Sequence, residues 1–68
     1  MNEEVFNLQI RKFLKKVGIT SQRELEKAVR DAIAAGRLGG RETLQASMTL
    51  RLPALGVELD IEDEIALE

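Results

Sequence analysis

The chain has no cysteine, no histidine, no tryptophan and no tyrosine, and a single proline among its 68 residues. Without cysteine, no disulfide and no thiolate metal site can form. Without histidine, the commonest zinc ligand and the commonest general base at neutral pH are missing. Phe6 and Phe13 are the only aromatic side chains. No stretch approaches the roughly 18 uncharged apolar residues that a membrane span needs. The opening Met1-Asn2-Glu3-Glu4 is acidic and no apolar run follows it, so it does not read as a secretory signal. The lack of cysteine fits a reducing compartment, and a cytoplasmic location is expected.

What is present suits a folded soluble domain rather than disorder: 44% of residues are hydrophobic and 32% charged, with a net charge of −2. Sixty-eight residues make one domain, 1–68, and no more. A domain this small buries only about 60% of the surface its unfolded chain exposes. Of the usual supports (disulfides, metals, oligomerisation), oligomerisation is the one left, and a homodimer is expected.

Residues 3–17 have helical period, with Phe6, Ile10, Phe13, Leu14 and Val17 on one stripe. Asn2 can cap the start, Glu3 and Glu4 suit the positive end of the helix dipole, and Lys15 and Lys16 the negative end. Gly18 reads as a left-handed stop. Ser21-Gln22-Arg23-Glu24 then matches a capping box and predicts a second helix over 21–35. Leu25, Ala28, Val29, Ala32 and Ile33 form its apolar stripe, and Gly36 ends it. Glu26/Arg30 and Lys27/Asp31 are i,i+4 pairs on the opposite face.

Beyond Gly39-Gly40 the period becomes two. Leu44, Ala46, Met48, Leu50 and Leu52 alternate with polar residues, as do Val57, Leu59, Ile61, Ile65 and Leu67. Pro53-Ala54-Leu55-Gly56 is a turn between them. This predicts a hairpin with strands near 42–52 and 57–67. A lone hairpin is marginal, so the two helices are expected to cover its apolar face. The fold class is α+β, ααββ, in two layers, with the sheet extended if the chain dimerises.

Few constellations suggest chemistry. The run Asp60-Ile61-Glu62-Asp63-Glu64 could offer oxygen ligands to a hard cation. On a strand, however, Glu58, Asp60, Glu62 and Glu64 form a row that does not converge, which reads as a solvated face discouraging edge pairing. The loop Gly36-Arg37-Leu38-Gly39-Gly40-Arg41 could seat a phosphate on its amides. It does not lead from strand to helix, and reads more simply as a helix stop and a flexible connection. Asp63 is the one polar residue on the inward strand face. If Leu52 pairs with Val57, Asp63 falls opposite Ala46; it marks either a frayed or bulged strand or a buried carboxylate answering a cationic or helix-end donor. Paired carboxylates for glycoside chemistry would need a cleft. We expect no enzyme, no cofactor and no metal.

Arg11, Lys12, Lys15, Lys16, Arg23 and Lys27 make the helical part basic. Helix, turn, helix and hairpin suggest a small nucleic-acid binder of helix-turn-helix type. The missing third helix, the acidic hairpin and the net charge of −2 count against it. A membrane-surface role for the first helix, with Val5 and Leu8 beside the lysines, is weaker still.

The run from Arg11 to Val29, RKFLKKVGITSQRELEKAV, resembles a family of short bacterial proteins catalogued as a domain of unknown function. The opening Asn2-Glu3-Glu4-Val5-Phe6-Asn7 and the acidic alternating C-terminus share the resemblance, which covers nearly the whole chain. It implies a bacterial, cytoplasmic, free-standing domain and transfers no activity and no functional residues.

The expectation is therefore a non-catalytic interaction or structural module. Self-pairing of the second strand would oppose like charges, whereas Thr43, Gln45, Ser47 and Thr49 give the first strand a neutral edge suited to dimerisation. Residues 1–41 carry nine Lys/Arg and five Asp/Glu, net +4; residues 42–68 carry one and seven, net −6. A basic helical layer and an acidic sheet layer should face opposite ways. A protein partner, if there is one, should bring a basic surface to Glu58, Asp60, Glu62 and Glu64.

Overall fold

The computed structural model describes all residues from Met1 to Glu68. It contains one helix, α1 (Glu3–Ala34), and an antiparallel hairpin of β1 (Thr43–Leu52) and β2 (Val57–Ala66) joined by a 3-10 turn, Pro53–Leu55. The chain divides into two compact units, Met1–Arg37 and Leu38–Glu68. The fold is α+β.

The break predicted at Gly18 is absent, and the two expected helices are one element of 32 residues. The physical reason is an imbalance of costs. Glycine inside a helix costs about 1 kcal/mol relative to alanine. Ending a helix and starting another strands up to four N–H and four C=O groups at the break. Gly18 stays out of the left-handed region, so it cannot form the stop that the sequence suggested. The apolar stripe also continues in phase across it, from Phe13 and Val17 to Ser21 and Leu25. Ser21 accordingly lies within the helix, half-buried on that stripe, rather than capping a new one. Lys15 and Lys16 fall mid-helix, and the last turn holds no basic residue. The helical part is therefore one helix, not the two that the sequence suggested.

The outer boundaries follow the local chemistry. The Asn2 side chain accepts the Val5 N–H at 3.1 Å, with Glu3 and Glu4 in the first turn. At the far end Gly36 adopts φ +77°. Its N–H donates to the Ile33 carbonyl at 3.0 Å, and the Arg37 N–H to the Ala32 carbonyl at 2.8 Å. These two bonds are a Schellman closure. Lys27–Asp31 and Arg30–Glu26 form exposed i,i+4 ion pairs at 3.4 and 3.5 Å.

In the hairpin, Leu52 pairs with Val57 and Ala46 with Asp63, the register anticipated from the turn. Gly56 takes φ +66° and its N–H donates to the Pro53 carbonyl at 3.2 Å. One face carries the pairs Leu44–Ile65, Met48–Ile61, Leu50–Leu59 and Leu52–Val57. β2 runs unbroken through Asp63 to Ala66, so that residue marks no bulge or frayed end. It is not a buried carboxylate either: Asp63 is exposed, and its Oδ1 accepts the Glu64 N–H at 2.8 Å.

No side chain in either unit is buried. On the hairpin, Met48, Leu59 and Ile61 are 41, 52 and 55% exposed; on the helix, Phe6 and Phe13 are 46 and 53% exposed. An isolated two-stranded hairpin is at best marginally stable in water. Helices in proteins likewise owe most of their stability to packing of an amphipathic face.

Candidate interaction surfaces

The second hairpin face is polar and internally paired. Gln45 Nε2 donates to Glu64 Oε1 at 2.9 Å, and Thr49 Oγ1 to Asp60 Oδ1 at 2.8 Å. Arg51 and Glu58 form an exposed ion pair at 3.7 Å, and Ser47 stands opposite Glu62. The acidic row Glu58, Asp60, Glu62 and Glu64 and the neutral row Thr43, Gln45, Ser47 and Thr49 therefore share one face. Two of the four neutral side chains are already engaged by acids of β2. The acidic side chains lie along the strand, and no three of them gather as a metal-binding group. Depressions at Gln45, Ala46, Ser47 and Glu62, and beside the turn at Arg51, Pro53 and Glu58, are open to solvent.

The ladder also fixes which backbone groups are free. The Leu67 N–H donates to the Glu42 carbonyl at 3.0 Å, one position beyond the Thr43–Ala66 pair. Hydrogen-bonded pairs recur at every second residue of an antiparallel ladder. The bonds thus fall at the even-numbered residues of β1. The N–H and C=O groups of Thr43, Gln45, Ser47, Thr49 and Arg51 point to the open edge of β1. Those of Glu58, Asp60, Glu62, Glu64 and Ala66 point to the open edge of β2. One edge is flanked by neutral side chains and a single arginine, the other by four carboxylates.

The glycine-rich connection holds a feature that sequence reasoning missed. Its amides are suited to an anion, and Glu42 supplies one. Its Oε2 accepts the Gly39 N–H at 2.8 Å, and its Oε1 accepts those of Gly40 and Arg41 at 2.9 and 3.0 Å. Gly40, at φ +97°, lets successive amides turn toward one point. These donors, the Gly39 N–H foremost, hold the Glu42 carboxyl below the ordinary glutamate value. The visible signal was an acid directly following a Gly-Gly-x run. A phosphate on these amides would have to displace that carboxylate.

On α1, Arg11, Lys12, Lys15, Lys16 and Arg23 have no ion-pair partner in the chain, whereas Lys27 is held by Asp31. No Asp or Glu occurs between Val5 and Arg23. At about 100° per residue these five basic residues lie on the side away from the Phe6–Ala32 stripe. The turn on which a helix-turn-helix depends is absent, since α1 is continuous through residues 18–21. No helix is long and apolar enough to cross a membrane. By unit the charges oppose: residues 1–37 hold eight Lys/Arg and five Asp/Glu, net +3, and residues 38–68 hold two and seven, net −5.

Neither a curated protein nor a solved structure matches the chain significantly. A model of a protein family described only as of unknown function, DUF6494, matches residues 1–68, from the helix cap to the end of the acidic strand. The chain belongs to the DUF6494 family of unknown function.

Proposed function

We propose that the chain is a non-catalytic interaction module that works in the cytoplasm as a homodimer, joined along the open edge of β1. The observation that carries this reading is that neither unit has a buried side chain. Within its own unit, neither the apolar hairpin face nor the helical stripe is covered, and association with a second copy supplies cover. The edges determine the mode. Pairing β2 with its copy would set carboxylates against carboxylates, which is destabilising. Pairing β1 with its copy, antiparallel about Ser47, uses the backbone groups that are free. Opposed residues of paired strands share a face, so the apolar faces of both hairpins would join into one four-stranded surface. The acidic rows would lie at its two outer borders, available to a basic protein surface. Light scattering of the purified chain tests the reading: a mass of two chains is expected, and a monomer at every accessible concentration would refute it.

A second reading rests on the five unpaired basic residues of α1. They could neutralise phosphates of a nucleic acid along one helix face, without any helix-turn-helix. A gel shift that weakens steeply with salt would favour it. No shift at low salt would remove it.

A further inference from the structure

The apolar stripe of α1 has a centre. Along its middle line run Phe6, Ile10, Phe13 and Val17 in the first half and Ser21, Leu25, Ala28 and Ala32 in the second, with Leu14, Val29 and Ile33 flanking that line. The steps along it are 4, 3, 4, 4, 4, 3 and 4 residues, the same read from either end. The point of reversal is residue 19. A helix lying antiparallel on a copy of itself about that point keeps these eight residues in register, while the flanking Leu14 and Val29 fall opposite Glu24 and Gln9.

Size follows the same symmetry. The reversal sets Phe6 against Ala32, Ile10 against Ala28, Phe13 against Leu25, and Val17 against Ser21. Each large side chain meets a smaller one, so the two axes stay about equally far apart along the contact. The separation of packed helices depends on the side chains between them. A parallel pair would meet Phe on Phe at one end and Ala on Ala at the other, too wide at first and too narrow later.

Charge agrees. Residues 5–17 carry four positive charges and no negative one, while residues 21–33 carry three of each. Antiparallel pairing places the basic stretch beside a neutral one; parallel pairing places it beside itself. The helix dipoles also oppose in the antiparallel pair. Covering the stripe on both copies removes on the order of 1,000 Å² from water, near the minimum of a specific interface.

We infer that the partner of the α1 stripe is the α1 stripe of a second copy, laid antiparallel about residue 19. This surface is separate from the β1 edge and either can hold without the other; both hold within one dimer where they share a single two-fold axis.

The chain has no native thiol, so introduced cysteines report the geometry directly. Val17→Cys and Ser21→Cys chains are mixed and oxidised, with Lys12→Cys on the far face as the control. The mixed Val17–Ser21 disulfide is expected to form at least tenfold faster than either homodimer or any control product. A second pair, Ile10→Cys with Ala28→Cys, is expected to behave alike. Two outcomes overturn the inference. One is Ser21→Cys or Ala28→Cys crosslinking to itself fastest, which means parallel helices. The other is no product above the Lys12→Cys control, which means that something other than a second helix covers the stripe. The same mixtures in a Ser47→Pro background separate the two surfaces. Persistence of the mixed disulfide there locates association in the helix. A dimer by light scattering without the mixed disulfide leaves the β1 edge alone.

Discussion

Replacing Ser47 by proline tests the β1 edge with little disturbance elsewhere. By the ladder alternation, the Ser47 N–H faces the open edge, so the hairpin loses no internal bond. Proline is tolerated in a sheet where its missing N–H would have faced solvent. In the dimer, Ser47 sits on the two-fold and would exchange two hydrogen bonds with its copy. Proline on both chains deletes both. At a net 0.5–1.5 kcal/mol each, the loss is about 1–3 kcal/mol, or roughly one to two powers of ten in Kd. The bulk of the ring at the centre of the pairing adds to this. Sedimentation equilibrium over a range of loading concentrations measures the effect, with circular dichroism as the check on folding. Ala46→Pro is the counter-experiment. The Ala46 N–H points inward to Asp63, so proline there should break the hairpin itself. If Ser47→Pro assembles as tightly as the natural chain, β1 is not the interface. If it unfolds as Ala46→Pro does, the assignment of free and paired N–H groups is inverted.

Further outcomes follow from single residues. Gly18→Ala should stabilise α1 by about 0.5–1 kcal/mol, because a Cβ there meets nothing within 4 Å and φ is not positive. Gly36→Ala, at φ +77°, should instead destabilise by about 1 kcal/mol. Urea melts of the two variants are the check, and a loss at position 18 would restore the two-helix reading. The Glu42 carboxyl should titrate below the ordinary glutamate value in a carbon-detected NMR titration. Because its folded value is depressed, its stabilising contribution is present above the unfolded carboxylate value and is lost as pH falls through the folded one. Glu42→Gln should therefore differ most from the natural chain near neutral pH and least in acid; a constant difference would contradict the loop geometry. Leu50→Asp or Ile61→Asp should unfold the hairpin and abolish its pairing along β1, since each sets a charge in the apolar face that the proposed dimer would dry. A melt close to that of the natural chain would show that this face is not covered.

Much of the fold was legible because it is written in local chemistry. Asn2 caps, Gly36 closes, Pro53 to Gly56 turns, and alternation fixes which strand residues share a face. The register followed from turn length alone, including Ala46 opposite Asp63. The misreading came at Gly18 to Glu24, where two start-and-stop signals stand within an unbroken stripe. Such signals are worth about a kilocalorie each, and continuity of the stripe outweighs them. Glu42 was illegible for another reason: that a loop of amides finds its anion in the next residue is a matter of backbone geometry, to which composition is blind. The candidate rows on the hairpin were legible as rows. Their cross-strand bonds, Gln45 to Glu64 and Thr49 to Asp60, needed the register.

The chain is proposed to complete its core by meeting a copy of itself. Thermal unfolding followed over a hundredfold range of protein concentration, with mass measured at each point, tests it most directly. The expected result is a dimer whose Tm rises with concentration, because association stabilises by mass action. A 7.6 kDa monomer with a cooperative melt, unchanged across that range, would contradict it.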